Sequence, residues 1–168
     1  MSDKSQEAAG GLKPLMLIGP VGAGKSTLLR ALCLGEGDVK KTEALTYTDQ
    51  AIDTPGEMIT IPHFFNALIL NSVRARLVLF LMDASRPTHL PARLALAMKA
   101  PVVGIISKID LATEDGLFKA RAALTGAGVK EILPISSVTG EGLDELKEWI
   151  TDFSRSAGSQ AAAGIGKF

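Results

Sequence analysis

The sequence contains little cysteine and few aromatic residues. Cys33 is the single cysteine among 168 residues, so no intramolecular disulfide can form, and aromatic residues make up 5% of the chain. Because Cys33 lies in an apolar helical run, we expect a buried, inert thiol. A chain of this length buries roughly 70% of the surface of its unfolded state, so a hydrophobic core can stabilise it without a disulfide or a metal. The length of 168 residues predicts one globular domain of ordinary size.

The sequence also lacks an excess of either charge. Eighteen lysine and arginine residues balance eighteen aspartate and glutamate residues. A balanced charge gives no general attraction to nucleic acid or to acidic membranes, so we expect neither as a partner. The apolar runs are strand-sized, far short of the ~20 residues of a membrane span. The first residues lack the apolar core of a signal peptide. We therefore expect a cytoplasmic protein without a membrane span.

What the sequence does contain is a regular alternation of short apolar runs and amphipathic stretches. The continuous apolar runs predict strands buried on both faces, at residues 15–18, 77–82 and 102–106, with weaker candidates at 50–53 and 131–135. The amphipathic stretches predict helices at residues 25–34, 62–73, 90–99, 115–125 and 143–153. This alternation predicts an α/β fold with a doubly wound, mostly parallel sheet and right-handed crossovers.

The two ends of the chain differ in composition from the middle. Residues 1–13 are polar and contain glycine, which predicts a flexible leader. Residues 154–168 are rich in serine, alanine and glycine, and predict a flexible tail. A docking peptide that ends at Phe168 is the alternative for the tail. The domain itself is expected at residues 14–153.

One contiguous segment matches a phosphate-binding loop in full. Residues 19–26 read Gly-Pro-Val-Gly-Ala-Gly-Lys-Ser, between an apolar strand and an amphipathic helix, which is the context that the motif requires. The loop's backbone N–H groups surround the β-phosphate, the lysine lies between the β- and γ-phosphates, and the serine offers its hydroxyl to Mg²⁺. The alternative is a glycine-rich turn that binds nothing. The predicted nucleotide-binding residues are Gly19, Val21, Gly22, Ala23, Gly24, Lys25, Ser26 and Thr27.

The next motif resembles the D-x-x-G element of GTPases. Asp53-Thr54-Pro55-Gly56 follows a short strand. In that element the aspartate, here Asp53, holds Mg²⁺ through water, and the N–H of the glycine, here Gly56, meets the γ-phosphate. The alternative is a plain turn, since aspartate, proline and glycine all favour turns.

Ser107-Lys108-Ile109-Asp110 resembles the guanine-reading motif [N/T]-K-x-D. The Asp110 carboxylate can accept from guanine N1–H and N2–H₂ together, a pattern that adenine does not offer. The stem of Lys108 would cover the face of the base. Ser107 stands where these GTPases have asparagine or threonine, which predicts weaker support for the P-loop. A surface K-x-D at the end of a strand is the alternative.

Ser136-Ser137-Val138 resembles the S-A-K loop of GTPases, in which a backbone N–H contacts guanine O6. A glycine turn that precedes a helix is the alternative here. Four motifs in the order found in GTPases predict a P-loop G domain that binds GTP with Mg²⁺, and ATP stays open as the nucleotide.

A narrower resemblance rests on the P-loop sequence, Lys41-Thr42, Thr54-Pro55-Gly56-Glu57 and Ser107-Lys108. With these residues the chain resembles the EutP/PduV family, small GTPase-like proteins encoded with bacterial ethanolamine and propanediol microcompartments, over about residues 14–150. The resemblance implies slow GTP hydrolysis in an accessory, targeting or regulatory role. Under this resemblance the candidate partners are shell proteins or enzymes of the microcompartment. We expect a monomer or a weak dimer. Two alternatives are an ATP-dependent acetate kinase and a nucleotide-bound structural component without turnover.

The spacing between the P-loop helix and Asp53 is short. Only 18 residues separate Leu34 from Asp53. They predict a trimmed β2–β3 hairpin with arms at residues 43–47 and 50–53. Thr42 is the favoured candidate for the switch I threonine that closes over the γ-phosphate and Mg²⁺, and Thr46 is its rival.

Glu57 is a candidate catalytic residue, together with Lys25 and Thr42. It follows Gly56, where many signalling GTPases carry a glutamine that orients the attacking water. An ionised glutamate accepts a proton but cannot donate to the γ-phosphate as glutamine does. The alternative is that Glu57 caps the helix that begins near Pro62.

Overall fold

The computed structural model describes residues 13–32, 46–47 and 50–163, without the side chains of 46–47 and 157–163. Strands and helices alternate along these residues in the order β1 (Leu15–Ile18), α1 (Lys25–Ala31), β2 (Thr46–Tyr47), β3 (Ala51–Asp53), α2 (Phe65–Ser72), β4 (Leu77–Asp83), α3 (Leu94–Ala97), β5 (Val102–Ser107), α4 (Glu114–Gly126), β6 (Glu131–Pro134) and α5 (Leu143–Ala163). Short 3₁₀ turns lie at Gly56–Ile59, Pro62–Phe64 and Ile109–Leu111. Cys33 and Thr42 lie outside the described residues, so the statements about them stay predictions.

The strands form one sheet in the order β2-β3-β1-β4-β5-β6. Only β2 runs antiparallel to its neighbour, while the other pairs among the described strands are parallel. The register pairs Leu17 with Asp53 and Asp83 with Ser107. The carboxyl ends of β1, β3, β4 and β5 therefore meet at one edge of the sheet, where ligands bind in doubly wound folds. The predicted α/β fold is confirmed.

Helices cover both faces of the sheet, which is why the central strands are apolar throughout. Alternate residues of β1 and β4 point to opposite sides, so Met16 and Phe80 belong to one buried cluster and Leu17 and Leu79 to the other. The first cluster includes Leu68 of α2, and residues of α3 and α4. The second includes residues of α1 and α5. Both clusters pack against the strands whose carboxyl ends form this edge of the sheet.

Two predicted helices are shorter or more divided in the structure. The stretch at residues 62–73 begins as a 3₁₀ turn and becomes α-helical only at Phe65. The stretch at residues 90–99 contains the single helical turn Leu94–Ala97. Arg93 precedes it in a left-handed conformation with φ 60°, and Met98 follows it in an extended one. Neither conformation can continue a helix, so α3 is limited to one turn. The amphipathic pattern predicted a longer helix than the structure contains.

The last helix is longer than predicted. We expected its end at Phe153 and a flexible tail from residue 154, but α5 continues to Ala163. Residues 154–163 contain no proline and end in three alanines, which favour helix. Trp149 and Phe153 stack with ring centroids 5.5 Å apart and pack against the second cluster. The tail prediction is therefore wrong for residues 154–163, and the limits of leader and domain stay predictions.

The described residues of the β2–β3 pair, Thr46–Tyr47 and Ala51–Asp53, lie within the predicted arms. Thr46 pairs with Asp53 and Tyr47 with Ile52. Thr46, the rival to Thr42, thus lies on a strand opposite the end of β3. Along the part of the chain that the structure describes, no helix is both long and apolar enough to cross a membrane.

Candidate functional site

The loop between β1 and α1 has the geometry of a phosphate cradle. Gly24 precedes α1 with φ 90°, a left-handed conformation that costs a residue with a side chain about 1 kcal/mol or more. The Ala23 N–H donates to Pro20 O at 3.1 Å, which closes a turn inside the loop. The loop therefore brings its backbone N–H groups and the N-terminus of α1 to one point, where a phosphate group would bind.

Lys25 is held inside this loop. Its Nζ donates to Gly19 O at 2.8 Å and to Pro20 O at 3.0 Å, and the residue is 7% exposed. Burial lowers the pKa of Lys25 to about 8, although the nearby carboxylates of Asp53 and Glu57 act in the opposite direction. The ammonium group is thus positioned at the loop by two neutral carbonyls, which phosphate oxygens can replace.

Ser26 and Asp53 meet at the mouth of the loop. The Ser26 Oγ donates to Asp53 Oδ2 at 2.8 Å, which joins the first turn of α1 to the end of β3. A hydroxyl and a carboxylate are oxygen ligands of the kind that Mg²⁺ takes together with phosphate oxygens and water. Among the described residues no group of three or more His, Cys, Asp or Glu side chains could hold a metal alone. The residues therefore fit an Mg²⁺ ion that arrives with a nucleotide. Thr27 follows in α1 and is half-buried.

The Asp53–Gly56 segment packs directly on the P-loop. A β-carbon at Gly56 would collide with the backbone nitrogen of Val21, so only glycine permits this approach. The Thr54 Oγ1 donates to Leu17 O at 2.7 Å, which fixes the segment to β1. The structure thus brings the D-x-x-G element and the P-loop together, as the motif predicts.

Glu57 lies in the 3₁₀ turn after Gly56 and is half-buried. The turn at Pro62–Phe64 begins after Ile61, whose side chain makes no capping hydrogen bond, and the alternative that Glu57 caps it stays a prediction. The carboxylate of Glu57 acts to raise the pKa of Lys25, which indicates that it lies near the ammonium group.

Ser107 supports the P-loop despite its short side chain. Its Oγ donates to Ala23 O at 2.6 Å and contacts Met82 O at 3.2 Å, and the residue is buried. We expected weaker support than asparagine or threonine would give, but the serine reaches the loop because β5 ends close beneath it.

Lys108 is clamped between the P-loop and β4. Its backbone is left-handed with φ 58°. Its Nζ donates to Gly22 O at 2.6 Å and forms an ion pair with Asp83 Oδ2 at 2.7 Å. Burial alone would raise the pKa of Asp83, but hydrogen bonds from Lys108 and Ser85 lower it below its usual value. We did not single out Asp83 from the sequence. The available signal was the position of this aspartate directly after the apolar residues of β4.

Asp110 and Ser136 come together from two different loops. The Ser136 Oγ donates to Asp110 Oδ1 at 2.6 Å. The Ile109 N–H also donates to Ile135 O at 3.3 Å, which ties the two loops through their backbones. Ser136 is fully buried, whereas Asp110 is exposed and Ser137 is half-buried. The Asp110 carboxylate is therefore oriented by a buried hydroxyl and still faces solvent.

A cavity of about 440 Å³ adjoins this site. Its walls include Pro20, Val21 and Gly22 of the P-loop on one side and Asp83, Arg86 and Lys108 on the other. Polar groups of the P-loop and of the segments at the ends of β4 and β5 thus border an open space large enough for a small molecule.

The fold and the cradle together define the class: this is a P-loop nucleotide-binding G domain of the GTPase type. Solved structures agree on the fold. The FeoB G domain from Methanococcus jannaschii superposes with a TM-score of 0.57 at 24% identity, over 85% of this chain and 97% of that one. Elongation factor SelB from Methanococcus maripaludis, bound to a GTP analogue, has a TM-score of 0.60 at 22% identity. That match covers 87% of this chain but only 34% of SelB, so the chain spans about a third of that protein.

Sequence relatives narrow the class to a family. The PduV-EutP family, described as ethanolamine utilisation - propanediol utilisation, matches residues 12–152, so the chain belongs to this family. The chain is 28% identical to the propanediol utilization protein PduV of Citrobacter freundii, over 80% of the chain and 91% of that protein. It is 30% identical to a protein of Salmonella typhimurium named "Probable acetate kinase EutP", over 83% of the chain and 87% of that protein. The predicted resemblance is confirmed.

Proposed function

We propose that this protein binds GTP with Mg²⁺ and hydrolyses it slowly, as an accessory, targeting or regulatory factor of ethanolamine- or propanediol-type microcompartment metabolism. The observation that carries the proposal is the Asp110–Ser136 contact at 2.6 Å. It supports the proposal because the serine hydroxyl orients an exposed carboxylate that could accept from both N–H donors of guanine, a pattern that adenine lacks.

The phosphate groups would enter the cradle where Lys25 now contacts Gly19 O and Pro20 O. Charged phosphate oxygens accept more strongly than neutral carbonyls, so the ammonium would exchange one set of partners for the other. Ser26, and Asp53 through water, would hold Mg²⁺, which neutralises charge on the phosphate oxygens. Thr42 stays the proposed closing threonine of switch I.

Slow turnover is expected from Glu57. Its carboxylate lies near Lys25 and would bear the same charge as a bound γ-phosphate, so it would accept a proton from water but donate no hydrogen bond to the phosphate. A glutamine in this position could both accept from the water and donate to the phosphate. We assign Glu57 a proton-accepting role in hydrolysis.

The cellular role is proposed from the relatives. The Citrobacter freundii relative is named for propanediol utilisation and the family description adds ethanolamine utilisation. A G domain with switch segments around its γ-phosphate can bind a partner in one nucleotide state and release it in the other. Shell proteins or enzymes of the microcompartment are the proposed partners.

A second candidate is transfer of the γ-phosphoryl group from ATP to acetate. The observation that favours it is the cavity of about 440 Å³ beside the P-loop, where Arg86 could bind a small carboxylate next to a triphosphate. The name of the Salmonella relative points to the same reaction.

Steady-state turnover separates these candidates. Phosphate release is measured with GTP and with ATP, with Mg²⁺ or EDTA, and acetyl phosphate is measured with and without acetate. Mg²⁺-dependent release from GTP that acetate does not change supports the GTPase. Acetyl phosphate formed from ATP overturns it in favour of the kinase. Tight GTP binding without release supports a structural component. The Lys25→Ala variant is the control for contaminating phosphatases.

A further inference from the structure

The ion pair between Lys108 and Asp83 joins the residue that follows β5 to the last residue of β4. It lies at the sheet edge, above the last residues of β4 and β5, and not within either buried cluster. Its lysine belongs to the motif that faces the base, while its aspartate belongs to no recognised motif. The pair therefore invites a functional explanation.

The backbone of Lys108 points to the same conclusion. A lysine with φ 58° and ψ 38° adopts a left-handed conformation that residues other than glycine rarely take. Such strain persists where surrounding contacts hold the residue in place, and it is concentrated at functional sites. Here two contacts hold the far end of the side chain: Gly22 O at 2.6 Å and Asp83 Oδ2 at 2.7 Å.

These two contacts are of different kinds. Gly22 O is a neutral backbone acceptor on the P-loop, whereas Asp83 is a buried carboxylate on β4. Asp83 is itself fixed, because Ser85 donates to its Oδ1 from the backbone nitrogen at 2.8 Å and from Oγ at 2.6 Å. With Oδ1 engaged by Ser85, Oδ2 faces Lys108. The carboxylate is thus pre-oriented to receive the ammonium.

We infer that Asp83 is a positioning residue for the nucleoside: it anchors the Lys108 ammonium so that the lysine stem forms a fixed wall against the face of the base. An anchored stem loses little further conformational entropy when the base packs on it, whereas a free lysine side chain loses the freedom of several rotatable bonds. The inference rests on the proposed nucleotide site, and it concerns the base and ribose, not the phosphates.

The Asp83→Asn variant tests this sharply. Asparagine keeps a carbonyl oxygen for the Ser85 contacts but replaces the anionic oxygen with an NH₂ group, which cannot accept from Lys108. We expect about a tenfold loss of affinity for both GDP and a non-hydrolysable GTP analogue, since one charge-assisted hydrogen bond is removed. Inorganic tripolyphosphate, which has no base, should bind equally well or slightly better, because a negative charge has been removed nearby.

Two further variants complete the design. Asp115→Asn makes the same chemical change in an exposed ion pair on α4, with Lys119 at 2.6 Å, and should alter no affinity. Lys108→Met keeps an apolar stem without the ammonium, so adding Asp83→Asn to it should have almost no additional effect. Thermal melting of each variant checks that folding is unchanged.

Several results would overturn the inference. Unchanged GDP affinity in Asp83→Asn would do so, as would a loss for tripolyphosphate as large as that for GDP, since the ion pair would then act on the P-loop. Additive losses in the double variant would also contradict it. If the wild-type protein prefers adenine nucleotides, the proposed GTPase fails, but the same comparison with ADP still tests Asp83.

Discussion

The two ends of the proposed nucleotide site are built differently. The phosphate end comprises residues 19–26 with Asp53 and Gly56; the base end comprises Ser107, Lys108, Asp110 and Ser136. At the phosphate end Lys25 and Asp53 are each 7% exposed, and backbone groups dominate. At the base end Asp110 is exposed and recognition depends on side chains from separate loops. The P-loop itself is therefore set by local chain geometry, whereas its contact with Asp53 depends on the pairing of β1 with β3, and the base end depends on how β5 and β6 are placed side by side.

This contrast has a consequence for specificity. Any nucleoside triphosphate presents the same phosphates, so the buried end supplies affinity without choosing a base. The choice would fall to a few side chains of the base end, of which Asp110 is exposed and can be replaced without disturbing the core. Changes at the phosphate end should remove binding altogether, and changes at the base end should alter which nucleotide binds.

The largest effect is expected from Lys25→Ala at the phosphate end. Two charge-assisted hydrogen bonds to phosphate would be lost, at ~1.5–3 kcal/mol each, which abolishes triphosphate binding at micromolar concentration. Lys25 is buried, so its removal also relieves the cost of burying a charge, and thermal stability should not fall by much. Calorimetric titration with a GTP analogue measures the affinity, and thermal melting measures the stability. Lys119→Ala, on the exposed surface of α4, is the control. Near-wild-type affinity would contradict the P-loop assignment.

Asp110→Asn should change specificity at the base end. The amide loses the charge that accepts from guanine N1–H and N2–H₂, at a cost of about 2–3 kcal/mol in GTP binding. It should strengthen binding of xanthosine triphosphate, because an amide can donate to the carbonyl that replaces the guanine amino group. Titration of the wild type and of the Asp110→Asn variant with fluorescent GTP, ATP and xanthosine triphosphate measures the affinity for each nucleotide. If ATP binds the wild type as tightly as GTP, and the substitution is silent, the kinase becomes the better assignment.

The pH dependence of binding should come from the phosphate end alone. The pKa of Lys25 is lowered to about 8 by burial, and bound phosphate favours its charged form. Affinity for a GTP analogue should therefore be flat below pH 8 and fall above it by up to about tenfold per pH unit. For unfolding the sign is opposite: between pH 8 and the usual lysine range the unfolded chain binds more protons, so stability rises there. Lys25→Arg, which stays charged, corrects for ionisation of the ligand. A wild-type profile equal to that of the arginine variant from pH 7 to 9 would refute this role.

The smallest effect is expected from Ser107→Ala, which touches both ends. The substitution removes the bonds to Ala23 O and Met82 O and should lower stability by about 1 kcal/mol. Because the P-loop keeps its own turn, GTP affinity should fall only a few-fold. Chemical denaturation and titration measure the two effects, and Ser107→Thr should restore both. A loss of affinity as large as that of Lys25→Ala would show that the two ends are one unit.

Several features could be predicted because their cause is local. The strands at residues 15–18, 77–82 and 102–106 are apolar throughout, and only a sheet covered on both faces buries such strands fully. The P-loop needs glycine at fixed positions, since Gly24 adopts φ 90° and a side chain there would be strained. Where the cause was not local the predictions were poorer, as in the helix at residues 90–99.

What the sequence determined by itself is the alternation of strands and helices and the local P-loop, because each of these follows from the order of residues along a short stretch of chain. The tertiary structure decided which distant residues meet. The register that pairs Asp83 with Ser107 brings Asp83 to Lys108, and the neighbouring β5 and β6 bring Asp110 to Ser136. The tertiary structure also decided that Ser107 reaches the P-loop. Contacts between residues 25 or more positions apart depend on how strands are placed side by side, which no local pattern specifies.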